Sequence, residues 1–183
     1  INGDDLVDYF NEKDVKHVKT IEEVIKSFIT VCDPLQHVHD KHFIHCDLKP
    51  GHLILNQKTG LVHIIDFELA IKRGGIIKGI SKEHASPEQL QMLNYLKDLP
   101  RKVHYEAISS TVRLDGKTDL YSLGLILYQI VTKKLWQSEK VLPSKINSHI
   151  SQKLEEIVSG LLEANPAHRI PSAEELKKAL CSI

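Results

Sequence analysis

Cysteine is scarce in this 183-residue chain: Cys32, Cys46 and Cys181 lie far apart and form no CxxC pair. Their odd number argues against a disulfide framework and favours a reducing, cytoplasmic setting. Net charge is missing as well, because 24 Lys and Arg balance 24 Asp and Glu. Nothing in that balance favours a nucleic-acid partner or an anionic membrane, so any phosphate binding has to come from local charge. Long apolar runs are also absent. The longest, LGLILYQIV at 123–131, is too short to cross a bilayer, and residues 1–20 are too charged for a signal peptide. No internal repeat or low-complexity tract interrupts the chain. At 42% hydrophobic content the expectation is one soluble domain with an ordinary core.

Helical periodicity dominates what is present. Ile21, Val24, Ile25, Phe28, Val31, Cys32, Leu35 and Val38 recur at three- and four-residue steps, which predicts an amphipathic helix over 20–40 with Thr20 as N-cap and a bend at Pro34. HLIL at 52–55 and LVHII at 61–65 flank the turn sequence NQKTG and predict a hairpin. Residues 72–85, with three glycines and several charges, read as an exposed loop. A helical fragment, QMLNYLKDL, ends at Pro100. From Asp119 to Val131 the chain is apolar on nearly every side, as a central buried helix would be. Two more helices are expected near 151–163 and 172–181, the second opened by a capping-box pattern of Ser172 and Glu175. The fold class is therefore mainly α, with a small β-hairpin.

The chemistry-bearing residues cluster around that hairpin. Phosphoryl transfer needs a carboxylate near the attacking hydroxyl, cations on the phosphates and carboxylates to hold Mg²⁺. Asp47, Lys49 and Asp66 supply those types within twenty residues of one another. By contrast, the histidine-rich stretch HVHDKHFIHCD at 37–47 is a poor zinc site. His37 and His39 lie two apart on a helix and point to different sides.

Five motifs, HCDLKPGH (45–52), IDFE (65–68), SPEQL (86–90), DLYSLG (119–124) and NPAHR (165–169), follow one another in an order and spacing that resemble the helical C-terminal lobe of Hanks-type Ser/Thr protein kinases. Five ordered motifs are far more specific than any one alone. The resemblance implies transfer of the ATP γ-phosphate to a hydroxyl of a protein substrate. Asp47 would be the catalytic base, Lys49 would touch the transferred phosphate, and Asp66 would chelate Mg²⁺. Asp5 would approach the ribose and Ile54 would lie beneath adenine. His45 would brace the loop against Phe67, Glu88 would pair with Arg169, Asp119 would anchor the catalytic-loop backbone, and Ser81 would bond Asp47 and Lys49. No glycine-rich loop, VAIK-type lysine or partner glutamate is found, so the resemblance implies an ATP roof supplied by an N-terminal lobe of the same parent chain.

Three positions depart from the family pattern. Cys46 stands in place of an arginine that receives a regulatory phosphate, which implies activity independent of that control. His52 replaces the asparagine of the second Mg²⁺ site, and imidazole is a poor match for Mg²⁺. Glu68 replaces a glycine, stiffening the metal loop and adding a carboxylate. These departures keep open an alternative, a pseudokinase that binds and regulates a protein partner. About nineteen residues between Glu88 and Asp119 have no counterpart in the family pattern.

Overall fold

The alternating and periodic patterns fold largely where they predict. The computed structural model describes residues 3–98, 112–136 and 140–183. Strand β1 (Asp4–Asp5) leads into helix α1 (Leu6–Asn11), and the Asp5 carboxylate caps that helix by accepting from the N–H groups of Val7 and Asp8. Helix α2 spans Val18–Asp40 and continues through Pro34. Its N-cap is His17, not Thr20; Thr20 is buried inside the first turn, because the helix gains one more turn than its apolar stripe marks.

Strands β2 (Phe43–Ile44), β3 (Leu53–Asn56), β4 (Leu61–Ile64) and β5 (Ile71–Lys72) follow. β3 and β4 form the expected hairpin, with Leu53 opposite Ile64 and Asn56 opposite Leu61, and β1 pairs antiparallel with β3. At the turn the Asn56 carbonyl accepts from Thr59 and Gly60, and Gly60 takes φ +72°, a conformation that costs glycine nothing. β2 pairs with β5 as a separate two-stranded ribbon. A 3₁₀ turn, Pro50–His52, leads directly into β3.

Helices α3 (Pro87–Asp98), α4 (Gly116–Thr132), α5 (Pro143–Ile146), α6 (Gln152–Leu161) and α7 (Ala173–Cys181) complete the described fold. α4 is the central helix. Asp115 caps it through the Lys117 N–H, and nearly every residue from Thr118 to Thr132 is buried. It starts three residues before Asp119, since the polar cap and first turn lie outside the apolar run. A Cβ on Gly124 would sit 2.7 Å from Leu161 Cβ, so this glycine sets how closely α4 and α6 approach. Ser172 accepts from the Glu175 N–H at 3.1 Å, as the capping pattern predicts.

Two apolar clusters result. The larger gathers Phe10, Phe28, Leu35, Leu53, Leu120, Leu127, Leu154 and Leu176 around α4. The smaller joins Ile44, Cys46, Ile71, Ile77, Met92, Val112 and Leu114. This second cluster corrects the reading of 72–85 as an exposed loop: Ile77 and Ala85 are buried and Ile76 and Ile80 are partly buried. Scattered apolar residues without periodicity anchor that segment, and glycine and charge content alone conceal them. Of the stretch between Glu88 and Asp119 that contains the unmatched residues, 99–111 lie outside the described residues.

Candidate active site

The site is built on a floor of buried polar contacts. Asp119, at the start of α4 and 1% exposed, accepts three hydrogen bonds: from His39 Nε2 at 2.8 Å and from the backbone N–H groups of His45 and Cys46, both at 2.9 Å. Gly116 makes room for this, because a Cβ there would stand 2.6 Å from the His39 ring. The anchoring role expected of Asp119 is thus met by geometry, and His39 is spent on it.

Cys46 adopts φ +66°, a left-handed conformation that a non-glycine residue holds only when its surroundings impose it. Asp119 grips its N–H, and the side chain of Gln89 donates from Nε2 to its carbonyl at 2.7 Å. Burial first, with the charges of Asp119 and Asp47 second, pushes the Cys46 thiol far above its ordinary range, so it is an inert packing group. Gln89 was not singled out by sequence. It stands in the SPEQL motif without an assigned role, yet it ties α3 to the loop that carries Asp47 and also accepts from the Ser86 N–H at 3.0 Å.

On this floor stand the proposed reactive groups. Lys49 Nζ lies 3.1 Å from Asp47 Oδ2 and 3.4 Å from Ser81 Oγ, while the Ser81 N–H donates to Asp47 Oδ1 at 3.2 Å. Desolvation alone would raise the Asp47 pKa. The contacts from Ser81 and Lys49, with the nearby Lys49 and His52, outweigh it and hold the carboxyl below its usual range. Asp47 is therefore an ionised acceptor at neutral pH.

His45 donates from Nε2 to the Ile65 carbonyl at 3.0 Å, accepts from the Asp47 N–H at Nδ1, and packs against the Phe67 ring with centroids 4.7 Å apart. The expected brace is present. His52 reaches both loops: Nδ1 donates to the Asp47 carbonyl at 2.8 Å, and Nε2 lies 3.3 Å from Asp66 Oδ2. Asp66 takes φ +61° and its Oδ1 accepts from the Glu68 N–H, a local bond that suits aspartate to the left-handed region. Its side chain is 47% exposed. Asp5 and Ile54 are direct partners across β1 and β3, so the two residues assigned to the nucleotide's sugar and base are neighbours. Burial raises the Asp5 pKa despite the two N–H groups that it caps.

Away from this face, Arg169 holds Glu88 through two contacts of 2.8 and 3.1 Å, and Thr118 adds a third bond to the same carboxylate. The pair is buried, and Arg169 also donates to the carbonyls of Lys117 and Glu163. Among the described residues no group of three or more His, Cys, Asp or Glu converges in a way that could hold a metal alone, and no helix is long and apolar enough to cross a membrane. The zinc reading of 37–47 has no such cluster among the described residues. The three cysteines are free thiols.

Comparison with known proteins matches residues 1–180 to the protein kinase domain family. The chain is 30% identical over 190 residues to the serine/threonine-protein kinase PknD of Chlamydia trachomatis serovar D, covering 92% of this chain and 20% of that protein. It is 29% identical over 182 residues to the serine/threonine-protein kinase Pkn1 of Myxococcus xanthus, covering 86% and 23% respectively. It is 27% identical over 179 residues to the serine/threonine-protein kinase PksC of Streptomyces coelicolor, covering 85% and 28%. The chain thus spans between about a fifth and three tenths of the length of these curated relatives.

Proposed function

Because this chain belongs to the protein kinase domain family, we propose that it forms the helical C-terminal lobe of a cytoplasmic, ATP- and Mg²⁺-dependent Ser/Thr protein kinase. An N-terminal lobe of the same parent protein would cover the nucleotide. The observation that carries this reading is the convergence of Asp47, Lys49 and Ser81, joined through His52 to the exposed Asp66. The free thiols suit a reducing compartment.

The residues fit the nucleotide and its metal in most respects. Asp66 offers hard carboxylate oxygens on an open face, and Lys49 offers a partly exposed ammonium beside an ionised carboxylate. His52 is the poor match, since imidazole is not a preferred Mg²⁺ ligand. When bound, Mg²⁺-ATP supplies the phosphoryl group and neutralises charge between its phosphates. Asp47 accepts the proton of a serine or threonine hydroxyl of the protein substrate, with Lys49 and Ser81 fixing its carboxylate. Lys49 balances negative charge next to the acceptor. Asp5 and Ile54 hold sugar and base from β1 and β3.

The test is transfer of labelled γ-phosphate by the full-length protein. Asp47→Asn and Asp66→Asn are each expected to lower transfer by about 10²–10⁴-fold. Unchanged labelling in either variant removes that residue from the reaction. Nucleotide and Mg²⁺ titration separates the kinase from a non-catalytic binding module.

A further inference from the structure

Helix α2 carries two apolar faces, and the core uses only one of them. Val24, Phe28 and Val31 point inward and are fully buried. Val18, Ile25 and Ile29 lie roughly 110° round the helix from these three. Val18 is 61% exposed, the most of any large apolar side chain described, while Ile25 and Ile29 are only partly buried. Together they line an open groove of about 550 Å³. α7 runs antiparallel along the second half of α2, where Lys177 holds Asp33 and the Glu174 N–H donates to Gln36, and its end adds Leu180 and Ile183 to the lining. The first half of α2, residues 18–29, is the part left open to a partner.

The charges beside this stripe say what that partner is. Glu23 and Asp33 of the same helix are engaged within the chain, by Lys13 and Lys177. Glu22 and Lys26 line the groove, exposed and one turn apart, and neither has an ion-pair partner among the described residues. Both stand on the same side of the stripe, because residues four apart on a helix share a face. When a second α2 is laid antiparallel on the first, the register that sets Val18 opposite Ile29 also brings Ile21 to Ile25 and Glu22 to Lys26, each within one residue. Two-fold symmetry repeats every one of these contacts, so a single surface satisfies itself in both its apolar and its charged parts.

We propose that this groove is a self-association surface, on which two copies of the chain pair through antiparallel α2 helices related by a two-fold axis that passes between Glu23 and Val24. Val18 of each copy enters the groove of the other beside Ile29, and Glu22 of each meets Lys26 of the other. The stripe runs roughly 17 Å along the helix, and so short a contact makes a reversible dimer and not a permanent one. Its residues are distinct from those of the Asp47 and Asp66 face, so the pairing stands or falls independently of the kinase reading.

The experiment is sedimentation equilibrium of the full-length protein over a range of concentrations. A monomer–dimer equilibrium is expected. Val18→Glu sets a carboxylate against Ile29 twice in each dimer and is expected to raise the dissociation constant roughly tenfold or more. Glu22→Lys and Lys26→Glu, each alone, set like charges opposite one another and are expected to weaken association about tenfold, whereas the two together restore it. All three positions are exposed, so an unchanged unfolding midpoint is expected for every variant. A full-length protein that stays monomeric overturns the proposal, whether its groove is covered by another part of the same protein or binds phosphatidylglycerol vesicles through Val18. A dimer indifferent to Val18→Glu, or one that the double exchange fails to restore, overturns it as well.

Discussion

Asp119 and Asp66 carry the same carboxylate in opposite surroundings. Asp119 is sealed beneath the loop that carries Asp47 and saturated by three donors, whereas Asp66 stands 47% exposed with His52 Nε2 3.3 Å from its Oδ2. The contrast extends to their regions. Asp119 and Gln89 in the floor, and Glu88 and Arg169 away from the site, are buried polar groups with hydrogen-bond partners; on the open face Asp66 and Lys49 are partly exposed. Polar residues in the floor therefore contribute to folding and to the placement of Asp47, and those on the face are the ones proposed to bind ligand.

The sharpest way to break this division is to exchange their effects. Arg169→Met leaves Glu88 buried without its cation and is expected to cost about 3–5 kcal/mol of stability. Asp66→Asn, which keeps a residue tolerant of positive φ, is expected to stay within about 0.5 kcal/mol of the parent while lowering transfer by about 10²–10⁴-fold. Denaturant unfolding of the full-length protein reads both, and a large destabilisation by Asp66→Asn would erase the distinction. Next in size, Gln89→Leu orphans the Cys46 carbonyl and the Ser86 N–H and is expected to cost about 1–3 kcal/mol. Because it also frees the backbone next to Asp47, transfer should fall along with stability. A stable variant of undiminished activity would show that this tie is dispensable.

The smallest effect concerns pH. His84, among the residues near Asp47, Lys49, Glu83 and Gln129, is held below its ordinary pKa of 6.5, chiefly by burial. Its unfolded form takes up a proton first as pH falls, so stability is fully present above 6.5 and declines from there down to the depressed folded value. Asp47, also depressed, contributes stability above 3.8 that is lost at still lower pH, outside this window. Replacing His84 by glutamine is expected to flatten the stability profile just below pH 6.5. An unchanged slope would mean that the ring is solvated in both states.

Much of the architecture could be read from the letters. The hairpin follows from two short apolar runs around Asn56 and Gly60, and α4 follows from a run apolar on every side. The motif order also pointed to the pairing of Glu88 with Arg169. Gln89, Gly116 and the buried face of 72–85 were not legible, because each matters through a contact distant in sequence. Gly116 meets His39, Gln89 meets Cys46, and Ile77 packs into the cluster with Met92 and Leu114. His17 displaced Thr20 as N-cap because the first turn of α2 extends past the apolar stripe that periodicity detects.

Periodicity, turn chemistry and motif order by themselves determined which segments become helix or strand, and which acids, lysine and histidines come near the hairpin. Only the tertiary structure decided which carboxylate is sealed and which is open, and which nitrogen of His52 faces Asp66. Local sequence carries backbone preference and side-chain type, whereas burial and the direction of a lone pair arise when segments dozens of residues apart exclude water together.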